Sequence, residues 1–156
     1  MGYYMRYFIP QTAQPTTLTA IREALKTIDP LYAIQIDSTD PSFGELFFGE
    51  RNLGEIEINH KNDEIFEEEI EDFLELLNYH TDAKKEGVIQ TIQATGHMVA
   101  VSAIWENGNA EDADFVHDHL DPLWEWLDTQ YAGMLHCDAD GFYNGQSLIL
   151  EMNVRI

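Results

Sequence analysis

The segment 63–79 (Asp-Glu-Ile-Phe-Glu-Glu-Glu-Ile-Glu-Asp-Phe-Leu-Glu-Leu-Leu-Asn-Tyr) constrains the fold of this chain more than any other. Phe66, Ile70, Phe73, Leu74 and Leu77 recur every three or four residues, the period of a helix with one apolar stripe. Glu64, Glu67, Glu68, Glu71 and Glu75 gather on the opposite side. Such a helix must lay its stripe on an apolar layer while its back stays in water. Asn62 or Asp63 is placed to cap it. The first-turn acids suit the helix dipole, but the acidic run continues past its reach. Glu64/Glu68, Glu67/Glu71 and Glu71/Glu75 are like-charge pairs four apart, each costing roughly a few tenths of a kcal/mol. No lysine or arginine lies between Lys61 and Lys84 to offset them.

Short β-rich runs supply the facing layer. Residues 3–9 are aromatic or β-branched apart from Met5 and Arg6, and Pro10 closes them. Pro15-Thr16-Thr17 opens a helix whose Leu18, Ile21, Leu25 and Ile28 share a stripe, stopped at Asp29-Pro30. Residues 31–36 read as a strand, and 45–49 with 53–59 as a hairpin. Ile56 and Ile58 alternate with Glu55, Glu57 and Asn59, so one face of that hairpin is wet. Residues 81–95 fit a helix from Thr81 through Val88, Ile89 and Ile92 to Gly96, though their β-branched density also permits a strand. The short Gly-containing link to the strand expected at 98–105 favours the helix.

After the turn Asn107-Gly108-Asn109, a helix from about 111 is expected to break or restart at Asp121-Pro122. It then runs through Leu123, Trp124 and Leu127 to Tyr131, ended by Gly133. Residues 134–137 and 148–154 close the chain as a hairpin, with Leu148, Leu150 and Met152 on one face and Asn144-Gly145 turning the connection. The fold class is therefore α+β: one domain over 1–156, a mixed or antiparallel sheet with helices packed on it. The stretches 3–49 and 97–154 share a strand-helix-strand-strand order. This resembles the tandem arrangement of effector-binding domains of the GyrI-like class, in which a cleft between halves holds a ligand. The likeness is one of architecture and implies no function.

Charge narrows the partners. The chain carries 29 acidic and 8 basic side chains, a formal net charge of -21, unevenly spread. Residues 1–60 hold 8 acids and 4 bases, whereas 61–156 hold 21 acids and 4 bases. Such a field repels phosphate backbones and anionic membranes and attracts basic proteins, so neither nucleic acid nor membrane is expected as a partner. It also serves solubility. No apolar run reaches the roughly 18 to 20 residues needed to cross a bilayer, and no signal peptide is expected at the N-terminus. The single cysteine, Cys137, forms no disulfide within the chain, which points to the cytoplasm.

The chemistry-bearing motifs are few. In His117-Asp118-His119 the two imidazoles, two apart on a helix, diverge by about 200°, which argues against joint metal ligation. Asp114, His117 and Asp121 do share a face. In a strand His136 and Asp138 point one way and Cys137 the other, so Cys137 and His136 make a poor nucleophile and base. A buried, inert thiol is the better reading. Asp138 and Asp140 match the start of a calcium loop, but Phe142 and Tyr143 stand where a further acid and a glycine belong, leaving a turn into a hairpin. No metal and no cofactor is assigned. Arg6, Arg22 and Arg51 are the cations that would meet an anionic ligand.

Leu120-Asp-Pro-Leu-Trp-Glu-Trp126, Asp140-Gly-Phe-Tyr-Asn-Gly145 and Leu148-Ile-Leu150 together resemble the C-terminal part of an uncharacterised bacterial domain family. That resemblance implies no activity, substrate or cofactor. The leading expectation is a non-enzymatic acidic interaction module for a basic protein, of inhibitor or immunity type. It would bind through Glu67, Glu68, Glu71 and Glu75, with Trp126 beside His119 as anchor. The alternative is a small-molecule domain with a cleft between its two halves, lined by Tyr32, Phe47 and Trp105. A metal-dependent hydrolase using His117 and His136 ranks below both.

Overall fold

The computed structural model describes residues 3–152. The elements are β1 (Tyr3–Pro10), α1 (Leu18–Ile28), β2 (Tyr32–Ile36), β3 (Phe43–Phe48), β4 (Arg51–His60), α2 (Glu64–Asn78), α3 (Lys85–Gln93), β5 (Thr95–Ala103), α4 (Ala110–Tyr131), β6 (Met134–Cys137), β7 (Gly141–Asn144) and β8 (Ser147–Glu151). The strands form one antiparallel sheet in the order β2-β3-β4-β5-β1-β6-β7-β8. The α+β expectation holds, and the sheet is antiparallel throughout.

The two central strands, β1 and β5, are buried on both sides. Met5, Tyr7 and Ile9 of β1 join Ile56, Ile58, Val99 and Val101 in one core, closed by Leu18, Ile21 and Leu25 of α1 and by Val116, Leu120, Leu123 and Leu127 of α4. On the opposite face Phe8, Met98, Met134, Phe142 and Leu150 pack under Phe66, Phe73 and Leu77 of α2 and Val88 and Ile92 of α3. The stripe of α2 is thus satisfied, with Glu64, Glu67, Glu68, Glu71 and Glu75 left exposed. The result is three layers, helices on sheet on helices. The Asp63 N-cap side chain makes no capping bond and instead accepts the His60 N–H.

Several expectations shift. The helix reading of 81–95 holds, although it starts at Lys85 with Lys84, not Thr81, in the cap position. β5 starts at Thr95 and ends at Ala103, so Trp105 lies beyond it. α4 does not break at Pro122 but runs unbroken for 22 residues, capped by Asn109 accepting the Asp112 N–H. Pro122 removes one backbone donor, yet the stripe Val116-Leu120-Leu123-Trp124-Leu127 stays buried on both sides of it, and that packing carries the helix through. The closing hairpin also differs. A further strand, β7, lies between β6 and β8, and the Asn144-Gly145 turn joins β7 to β8, with Gly145 at a φ of 61°. A bulge between Phe142 and Tyr143 turns Leu148 outward while Leu150 stays buried. Val154 lies outside the described residues.

The two strand-helix-strand-strand stretches are present but do not make separate halves. β1 and β5 pair with each other along eight residues of β1, and the hairpins of the two stretches lie on opposite wings of the one sheet. α1 and α4 pack together over the same face.

Candidate functional site

A concavity of about 390 Å³ lies between α4 and the β6-β7-β8 wing. His117, Asp121, Trp124, Glu125 and Asp128 reach it from one side of α4, as their spacing of three and four requires. Met5, Leu135, Cys137, Asp140, Tyr143 and Gln146 close it from the sheet and its turns. Four carboxylates converge here, and among the described residues no lysine or arginine lines the space.

Each acid is held differently. Asp128 accepts the phenolic proton of Tyr7, whose oxygen in turn accepts the buried Gly133 N–H. Gly133 can be nothing larger, because a Cβ there would stand 2.1 Å from the Phe8 carbonyl oxygen. Burial, then the Asp128 contact, pushes the Tyr7 hydroxyl well above its ordinary range, so it remains a donor. Asp140 accepts from Tyr143 at 3.3 Å, and Glu125 from Gln146 at 3.4 Å. Asp121 has neither kind of tether. Its pKa is raised, chiefly by burial and further by Asp118 and Glu125, with His117 opposing. Trp124 is 5% exposed, and its indole Nε1–H is buried without an acceptor among the described residues. Tyr3, Trp105 and His117 pack ring against ring behind one wall, with centres 5.1 to 5.4 Å apart.

A second polar cluster sits on the other face of the sheet. Arg6, 9% exposed, lies across the ladder from His136. Its Nε is 3.1 Å from Glu69 of α2 and its Nη1 3.3 Å from Asp138. His136 is held between Phe73 and Phe142, both ring centres 4.7 Å away, and its buried Nδ1 has no partner among the described residues. Burial first, then the Arg6 charge, lowers its pKa to about 4, so the imidazole is neutral at pH 7. Cys137 points to the opposite face, into the α4 pocket, where burial pushes its thiol up to about 12. The strand alternation expected for His136, Cys137 and Asp138 is what the structure shows.

The remaining candidates are dispersed. Glu67, Glu68, Glu71 and Glu75 line the exposed back of α2, with Glu71 and Glu75 flanking a shallow groove toward Ile89 and Gln93 of α3. Trp126 and His119 lie on α4, across the sheet from that acidic stripe, so one flat partner surface does not contain both sets. Trp126 is half-buried against the α1–α4 core, which leaves little of it as an exposed anchor. His119 stacks on Phe115, centres 4.1 Å apart, beside Phe48. Tyr32 donates to the His119 carbonyl at 2.7 Å and is core, its hydroxyl pushed up to about 12 by burial. Phe47 pairs with Ala33 on the β2–β3 edge and belongs to neither core. Tyr32, Phe47 and Trp105 therefore do not line one cleft. The acids of the α4 pocket escaped sequence reading, except Asp121 and Asp140, because an acid-rich chain makes any single acid uninformative. Their spacing along α4 was the usable signal.

Among the described residues no group of three or more His, Cys, Asp or Glu side chains is arranged to hold a metal ion, and no helix is long and apolar enough to cross a membrane. Compared with protein-family models, curated proteins and solved structures, the chain finds no match.

Proposed function

We propose that this protein is a non-catalytic, cytoplasmic binding module that takes a basic side chain of a protein partner into the pocket between α4 and the β6-β7-β8 wing. The observation that carries this reading is the convergence of Asp121, Glu125, Asp128 and Asp140 on a space that no lysine or arginine lines among the described residues. A lysine or arginine side chain would place a positive charge among these acids, and Trp124 and Tyr143 line the same space. The field of the whole molecule, at a net charge of -21, steers such a partner inward. A catalytic reading finds less support, since the Cys137 thiol stays protonated and His136 faces away from it.

Calorimetric titration with short lysine- or arginine-containing peptides tests the proposal. Binding should weaken with Glu125→Gln and with Asp121→Asn, and vanish when the peptide's basic residue is glutamine. Undiminished affinity in both variants would overturn the pocket, and dependence on Glu67, Glu68, Glu71 and Glu75 instead would move the site to α2. Equal affinity for a free alkylamine would assign the pocket to a small molecule.

A further inference from the structure

His60 and His97 stand directly opposite each other across the β4–β5 ladder. Their Nδ1 atoms are 3.3 Å apart, their ring centres 5.2 Å apart, and their planes cross at 79°. That separation admits a long hydrogen bond from one ring N–H to the other ring's nitrogen. It matches a second arrangement as well. Two imidazole nitrogens bonded to one ion at roughly 2.0–2.1 Å, with a tetrahedral opening, lie about 3.3 Å apart, and their rings about 5.2 Å apart. A square-planar ion would draw the nitrogens to roughly 2.9 Å.

We propose that His60 and His97 form a two-imidazole site for a divalent metal ion of tetrahedral preference, Zn²⁺ before others. The ladder fixes the pair, because the preceding partners Ile58 and Val99 are locked in the α1–α4 core. Both histidines are only partly buried, so an ion reaches them and water completes its shell. Lys61, next to His60 in the chain, extends its Nζ to Gln11 at 3.1 Å. Asp63 accepts the backbone N–H of His60. The net charge of -21 raises the local concentration of divalent cations, but it does not choose zinc over magnesium; the paired nitrogens do. With two protein ligands the site is open and exchangeable, unlike a closed structural zinc centre.

The test is a titration of the full chain with Zn²⁺, followed by ¹H–¹⁵N spectra of the histidine side chains and by thermal unfolding. The Nδ1 resonances of His60 and His97 should move together, and Tm should climb with zinc concentration. Mg²⁺ at the same concentration should produce neither effect. His60→Gln and His97→Gln should each lose the zinc-dependent Tm shift, while His80→Gln keeps it. Imidazoles of His60 and His97 that do not respond, an equal effect of Mg²⁺, or a shift surviving in both variants would overturn the site. The spectra of the unsubstituted protein decide the matter even where a variant folds poorly.

Discussion

Held between Phe73 and Phe142 with its Nδ1 unpartnered among the described residues, the His136 imidazole keeps a pKa of about 4 in the folded chain, set first by burial and then by Arg6. In the unfolded chain it titrates near its ordinary value of about 6.5. Below that value the unfolded state binds a proton that the folded state refuses, so folding stability falls as pH drops from about 6.5 to about 4. The loss levels off near roughly 3 kcal/mol. Urea unfolding at pH 7, 5.5 and 4 should show this decline, and His136→Phe should remove that share of it; an equal decline in both would place its origin elsewhere. Asp121 runs the other way. Its folded pKa lies above its unfolded one, so its favourable contribution is present at low pH and is lost as pH rises through the folded value. Asp121→Asn should therefore raise Tm at pH 7 relative to the parent while weakening peptide binding, the mark of an acid held for a ligand. The facing of His136, Cys137 and Asp138 was legible because strand alternation is local. The Arg6–Asp138 contact was not, since the two residues are 132 positions apart and meet only through β1–β6 pairing.

Among the elements, α4 shows where local rules yield to packing. Asp121-Pro122 is a sound helix-start signal, yet it falls in mid-helix because the buried stripe is continuous across it. Pro122→Ala restores a donor for the preceding turn and should raise stability by about 1 kcal/mol or more, read as an increase in Tm. A decrease would mean that the proline ring's own contacts outweigh the missing hydrogen bond. In α2 the acids beyond the first turn repel one another with no lysine or arginine in the helix to offset them. Glu68 lies four residues from both Glu64 and Asp72, so Glu68→Lys turns two repulsions into attractions and should stabilise the fold by roughly 0.5–1 kcal/mol at low salt. Long periodic segments such as α1 and α2 were legible, because their apolar stripes are also their buried faces. The four-residue strand β7 was not. Gly141-Phe-Tyr-Asn144 is too short for a period, and its role is set by β6 and β8 on either side. The pocket was missed for a related reason: one wall is a helix face and the other is a wing whose strand order the sequence does not state.

For the molecule as a whole, the net charge of -21 acts on folding and on binding with opposite signs. Confining so many like charges in a compact fold raises self-repulsion, and added salt screens it. Going from 0.01 M to 0.15 M ionic strength shortens the screening length from about 30 Å to about 8 Å. Tm should rise across that step. The same screening weakens attraction to a basic partner, mainly through a slower association rate, so affinity for a cationic peptide should fall while the fold becomes firmer. The two arms separate the roles of the acids. If they serve only solubility, the stability arm remains and the binding arm is absent. If the pocket reading is right, neutralising Glu67, Glu68, Glu71 and Glu75 lowers the association rate and flattens its salt dependence, yet leaves dissociation nearly unchanged. Glu125→Gln then speeds dissociation, because Glu125 lines the pocket and the four glutamates lie across the sheet from it. Stopped-flow kinetics at two salt concentrations measures both. A faster dissociation caused by the α2 variants would put the contact surface on α2 and vacate the pocket.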